Sequence, residues 1–158
     1  MGRAIADYWK TKKADRLRVF SPMFEEDEIP LTTLFRKYKA MPEIERKALD
    51  MATGKTLDVG AGSGCHSLVL QEKGIDVTAI DISPLSVQTM KERGVKSFQM
   101  QYKDTIGEPF DWLYIDADTL REKAARYGYA VEVVAEGEHY DYLARITKRQ
   151  ARRVQESL

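Results

Sequence analysis

Apolar positions at helical spacing mark the first third of the chain. Ile5, Tyr8 and Trp9 share one face and are followed by Lys10, Lys12 and Lys13. Ser21-Pro22 interrupts that pattern, and Glu25, Glu26, Asp27 and Glu28 read as a solvated loop. Pro30 suits a helix start, and Leu31, Leu34, Phe35 and Tyr38 then repeat at i, i+3, i+4 and i+7. Pro42 opens a further helix with Ile44, Ala48 and Met51 on one side, closed by Gly54.

The pattern then changes to short apolar runs. Thr56 to Val59 predicts a strand, Gly60 to Gly64 a turn, Cys65 to Lys73 a helix ended by Gly74, and Asp76 to Ile80 a second strand. Ser83 is placed to cap the next helix, with Pro84 at its first position and Gly94 at its end. Strand, helix, strand, helix implies a parallel sheet with right-handed crossovers. Val95 to Tyr102 and Phe110 to Ile115 are candidate strands, and Asp118 can cap a helix carrying Leu120, Ala124 and Tyr127. Tyr129 to Ala135 and Tyr140 to Thr147 flank Glu136-Gly137-Glu138 and predict a hairpin. Three segments follow: a helical cap over 1–54, an α/β domain over 55–147 and a basic tail over 148–158.

Charge adds little. The chain of 158 residues carries 25 Lys and Arg against 25 Asp and Glu, so it lacks the basic excess of an obligate nucleic-acid binder. Its one cysteine, Cys65, can form no internal disulfide, which suits a reducing compartment. No run approaches the length of a membrane span, and the N-terminus shows no signal-peptide core. These features point to a soluble cytoplasmic protein with no membrane or nucleic-acid partner and no metal site.

The chemistry concentrates in the turn. A glycine-rich turn between a buried strand and a helix aims backbone N–H groups and the positive helix end at a ligand. An acid at the end of the next strand, about 20 residues on, can accept both hydroxyls of a ribose. Asp81 occupies that place. The dinucleotide fingerprint G-x-G-x-x-G fails at its third glycine, where Cys65 stands. The pattern is instead Asp58-x-Gly60-x-Gly62-x-Gly64.

That pattern, continued through Cys65-His66-Ser67-Leu68 and Asp81-Ile82-Ser83-Pro84, resembles the class I S-adenosylmethionine-dependent methyltransferases. The resemblance implies a Rossmann-like α/β sheet, mostly parallel, with a C-terminal antiparallel hairpin and helices on both faces. It implies S-adenosylmethionine as cofactor and S-adenosylhomocysteine as product. Asp58 and Gly60, Ala61, Gly62, Ser63 and Gly64 would hold the methionine end, Asp81 the ribose hydroxyls and Ile82 the adenine. It identifies neither a catalytic residue nor the small-molecule acceptor.

The second half is compressed relative to that family, with room for about six strands. In one reading Phe110 to Asp116 is the fourth strand and Asp104 binds adenine. In the other, favoured reading the middle of the domain is missing between Val95 and Gln101, and Trp112 onward forms the closing helix and hairpin. The latter leaves the first strand with an open edge, which predicts a homodimer, strand-exchanged in one form. It also leaves room for a fold that keeps the cofactor half-site without completing catalysis. A nicotinamide-dependent oxidoreductase is the weaker alternative. Other residues have a plain and a sharper reading. Tyr8, Trp9, Phe35 and Tyr38 are core or an aromatic lid, Arg36 is a surface residue or a partner for an acidic substrate, and His66 is a helix-start residue or a ligand contact.

Overall fold

The computed structural model describes residues 1–13, 16–19, 27–99, 115–138 and 141–149. The chain divides into two compact units, Met1–Phe110 and Asp111–Leu158.

The first unit contains α1 (Gly2–Thr11), β1 (Leu17–Val19), β2 (Asp27–Ile29), α2 (Glu43–Met51), β3 (Lys55–Val59), α3 (Cys65–Glu72), β4 (Asp76–Asp81), α4 (Pro84–Glu92) and β5 (Ser97–Gln99). Strands β3, β4 and β5 form a parallel sheet in that order. Thr56 lies beside Val77 and Asp58 beside Ala79, so these four share one sheet face. Helices α3 and α4 cover it. Val77 packs with Val69 and Leu70, and Ala79 packs with Val87, Met90 and Val95. Helix α2 adds Leu49 to the first cluster, together with Met41 and Cys65. Leu57 and Val59 project from the other face and are 58% and 68% exposed. Among the described residues β3 pairs with β4 alone.

Local chemistry explains the boundaries. Ser83 Oγ accepts the Ser86 N–H at 3.3 Å and Pro84 starts α4, as the sequence predicts. The helix predicted through Leu31 and Tyr38 is instead two short 3₁₀ turns, Leu31–Phe35 and Tyr38–Ala40. Arg36 and Lys37 between them are extended, with ψ of 150° and 163°. Spacing of i, i+3 serves a 3₁₀ turn as well as an α-helix, and the pattern does not tell them apart. The acidic run also differs from expectation. Asp27 and Glu28 belong to β2, where Glu28 stands opposite Arg18 and Arg16 Nε approaches it at 3.6 Å. Opposite cations make an acidic strand tolerable. Glu25, Glu26 and Ser21-Pro22 lie outside the described residues.

The second unit contains α5 (Ala117–Arg126), β6 (Tyr129–Glu136) and β7 (Tyr142–Lys148), and β6 and β7 form the expected antiparallel hairpin. Asp116, not Asp118, caps α5: its Oδ1 accepts the N–H groups of Asp118 and Thr119 at 3.0 and 2.9 Å. A cap must stand one residue before the first helical position, and Asp118 is already inside the helix. These bonds, the Thr119 N–H first, hold the Asp116 carboxyl below its ordinary pKa. Lys148 belongs to β7 rather than to a tail, and the Arg149 N–H donates to Gly128 O at 2.8 Å. No described residue of this unit is fully buried. The candidate strand Phe110 to Ile115, except its last residue, lies outside the described residues, as do Asp104, Tyr140, Arg152 and Arg153.

Candidate functional site

The turn between β3 and α3 has an open half and an enclosed half. Gly60, Gly62 and Gly64 all take left-handed φ values, +73°, +58° and +79°. Among the described residues a side chain at Gly60 would meet nothing within 4 Å, and one at Gly62 would meet Ile5 Cδ1 at 3.8 Å. At Gly64 a Cβ would fall 2.9 Å from Val95 Cγ2 and 3.0 Å from Met90 Cγ. Gly60 therefore leaves backbone open to a ligand among the described residues, whereas Gly64 lets the start of α3 close against Met90 of α4 and Val95 just after it. Ser63 beside it is 2% exposed.

The turn's donors are largely committed within the protein. Gly60 N–H and Ala61 N–H both donate to Ile80 O at 2.9 and 3.1 Å, and Gly64 N–H donates to Ala61 O at 2.8 Å. Gly62 N–H donates to Asp81 Oδ2 at 2.9 Å. The sequence reading has these groups pointing at a ligand. The end of β4 overrides it by placing a carbonyl and a carboxylate directly beside the turn. A phosphate needs such donors free. A ligand that itself brings N–H and O–H donors does not.

Asp81 joins the two halves of the sequence motif. Its Oδ1 accepts the Ser83 N–H at 2.8 Å. An ionised carboxylate offers about four lone-pair sites, so two remain for hydroxyl donors. Ile82, next to it, is 69% exposed and presents an apolar side chain beside the acid. Asp58 sits below the turn, where its Oδ2 accepts the Ser67 hydroxyl at 2.6 Å. Ser67 is fully buried, so this bond fixes the Asp58 carboxylate against α3.

The N-terminal segment packs onto the turn. Ile5 is fully buried and reaches Gly62, and Gly2 lies against Ser83. Tyr8 and Trp9 meet Phe35, with centroids 4.8 and 6.3 Å apart and the Trp9 and Phe35 planes 2° from parallel. Tyr38 does not join them: its hydroxyl donates to Asp50, which also pairs with Lys73. Arg36 is no free surface residue, because its guanidinium binds Glu45. The other Glu45 oxygen meets His66 Nε2 at 3.0 Å. Burial pushes the Glu45 carboxyl up, but the bonds from Arg36 and His66 outweigh it and leave the group below its ordinary pKa. Cys65 is a small buried core residue, and burial pushes its thiol up.

Sequence reasoning missed Arg93 and Glu45. Arg93 Nη1 donates to Ser63 O at 2.5 Å and to Ser63 Oγ at 2.7 Å. A basic residue at the end of a helix reads as dipole compensation, so nothing local marks it out.

A parallel strand–turn–helix–strand unit with an acid closing on its glycine turn defines a nucleoside-cofactor domain. The methyltransferase domain family matches residues 57–135. An S-adenosylmethionine-dependent methyltransferase from Bacteroides fragilis, solved in complex with S-adenosyl-L-homocysteine, superposes with a TM-score of 0.84 at 42% identity, covering 94% of each chain. Mouse glycine N-methyltransferase is 31% identical over 67 residues, which are 42% of this chain and 23% of that enzyme. The chain belongs to the methyltransferase domain family.

Proposed function

We propose that the chain binds S-adenosylmethionine at the β3–α3 turn and transfers its methyl group to a small-molecule acceptor. The observation that carries this reading is the committed N–H set of the turn. It is a poor cradle for the pyrophosphate of a dinucleotide and suits a cofactor without phosphate. The Bacteroides protein, matched along 94% of both chains and holding S-adenosylhomocysteine, supports product binding in a chain of this compressed form.

In this reading Asp58 and Gly60, Ala61, Gly62, Ser63 and Gly64 shape the place for the methionine end. Asp81 accepts the ribose hydroxyls on its two remaining lone pairs, and Ile82 covers the adenine. Bound S-adenosylmethionine supplies a methyl group already activated by its positively charged sulfur. The residues of the chain then have one main task, which is to hold the acceptor in line and keep water out. A base is required only where the acceptor must lose a proton.

The reading includes residues 1–54 as a cap on a cofactor-binding domain that begins at 55 and extends through β7, followed by a basic tail. It includes a homodimer formed through the outer edge of β3, the edge opposite β4. Among the described residues no helix is long and apolar enough to cross a membrane, in keeping with a cytoplasmic location.

Calorimetry with S-adenosylmethionine, S-adenosylhomocysteine and NAD tests the cofactor. Binding of the two methionine nucleosides and not NAD is expected, and preference for NAD overturns the reading. Asp81→Ala should weaken S-adenosylhomocysteine by about 1–3 kcal/mol, roughly five- to 150-fold. Unchanged affinity removes Asp81 from the site.

A further inference from the structure

We propose that Arg93 is a positioning residue for the cofactor turn and couples that turn to the N-terminal helix. The inference rests on the cofactor reading above and concerns residues that the cofactor does not touch. Arg93 closes α4, yet its side chain meets three other segments. Its Nη1 holds both the carbonyl and the hydroxyl of Ser63. The Ser63 hydroxyl in turn donates to Leu34 O. The guanidinium lies 4.9 Å from the Phe35 ring and 5.7 Å from the Trp9 ring.

Ser63 is buried, so Arg93 grips the turn from behind, away from the open Gly60 half. Pinning the Ser63 carbonyl fixes the peptide plane that leads into Gly64 and the start of α3. That plane sets where the open half of the turn presents its backbone. A guanidinium suits both jobs: its Nη1 serves Ser63 while the group lies near the two aromatic rings, whereas a lysine ammonium is a point charge. Arg93 therefore gives an adjustment of the turn on ligand binding a path to the Trp9–Phe35 stack, beside the packing of Ile5 on Gly62. By reciprocity, that stack must bias ligand affinity to the same extent.

The chain has two tryptophans, Trp9 and Trp112, so Trp112→Phe leaves Trp9 as the single emitter. In that background S-adenosylhomocysteine should change Trp9 emission along the calorimetric binding curve. Arg93→Met should weaken S-adenosylhomocysteine about tenfold and diminish the emission response even at saturation. Arg93→Lys should recover part of the affinity but not the response. If Arg93→Met does not fold, Phe35→Leu tests the same link: it leaves Ser63 untouched and should diminish the Trp9 response. Wild-type affinity in Arg93→Met, or calorimetric binding with silent Trp9 in the parent, overturns the proposal and leaves the cofactor reading standing. A parent chain that binds no S-adenosylhomocysteine overturns both.

Discussion

Replacing Gly64 with alanine separates the two halves of the turn. The residue sits at φ +79°, where an L side chain costs about 1–2 kcal/mol. Its Cβ would stand 2.9 Å from Val95 Cγ2, 3.0 Å from Met90 Cγ and 3.3 Å from Met90 Sδ. Met90 is fully buried and Val95 is 4% exposed, so neither has room to retreat. Overpacking of that kind adds about 1–3 kcal/mol. The expected loss is about 2–5 kcal/mol, out of a total of about 5–15 kcal/mol for a domain. At about 2–4 °C per kcal/mol for a chain of this size, that is a fall in Tm of roughly 4–20 °C. Gly60→Ala is the control. Its φ is +73° but no atom of the described residues lies within 4 Å of the new methyl, so only the backbone cost of about 1–2 kcal/mol is expected. In the proposed reading its methyl instead fills the space through which the cofactor approaches. Urea unfolding and S-adenosylhomocysteine calorimetry on both variants should show opposite rankings. Gly64→Ala should lose more stability, and Gly60→Ala should lose more affinity per kcal/mol of stability lost. If Gly64→Ala is as mild as Gly60→Ala in urea, the division of the turn into an open and an enclosed half is wrong.

The Glu45 carboxyl lies below its ordinary value of 4.5 in the folded chain, so the unfolded chain binds the extra proton first as pH falls. Its contribution is present above that ordinary value and lost as pH drops through the folded one; urea stability should decline more steeply below about pH 4.5 in the parent than in Glu45→Gln. Parallel curves would remove Glu45 from the acid response. Light scattering at micromolar concentration should return twice the 18.1 kDa of one chain, and a single-chain mass would exclude the dimer.

The strand–turn–helix unit was readable because its determinants are local. Gly60, Gly62 and Gly64 need left-handed backbone, Ser83 and Pro84 mark a helix start, and the acid of β4 follows at a fixed interval. The role of each glycine was not readable, because it depends on Met90 and Val95, about 30 residues away. The same holds for the N–H groups: a strand neighbour captures them, and nothing in the turn announces that neighbour. The N-terminal segment was the least legible. Its aromatic spacing fits a helix, but the real arrangement splits Tyr38 from Tyr8, Trp9 and Phe35 because Arg36 turns extended and binds Glu45. Such pairings join side chains far apart in sequence, and hydrophobic period carries no information about them.

The burial of Cys65 gives the molecule a built-in clock. It is the chain's one thiol, it opens α3 immediately after the turn, and it packs in the cluster that includes Met41 and the α2 residue Leu49. A reagent reaches it chiefly when that packing breathes, and its raised pKa keeps it in the slow, protonated form while closed. The rate at which a disulfide reagent consumes this sulfur thus reports openings of α2 against α3, with no label added to the protein.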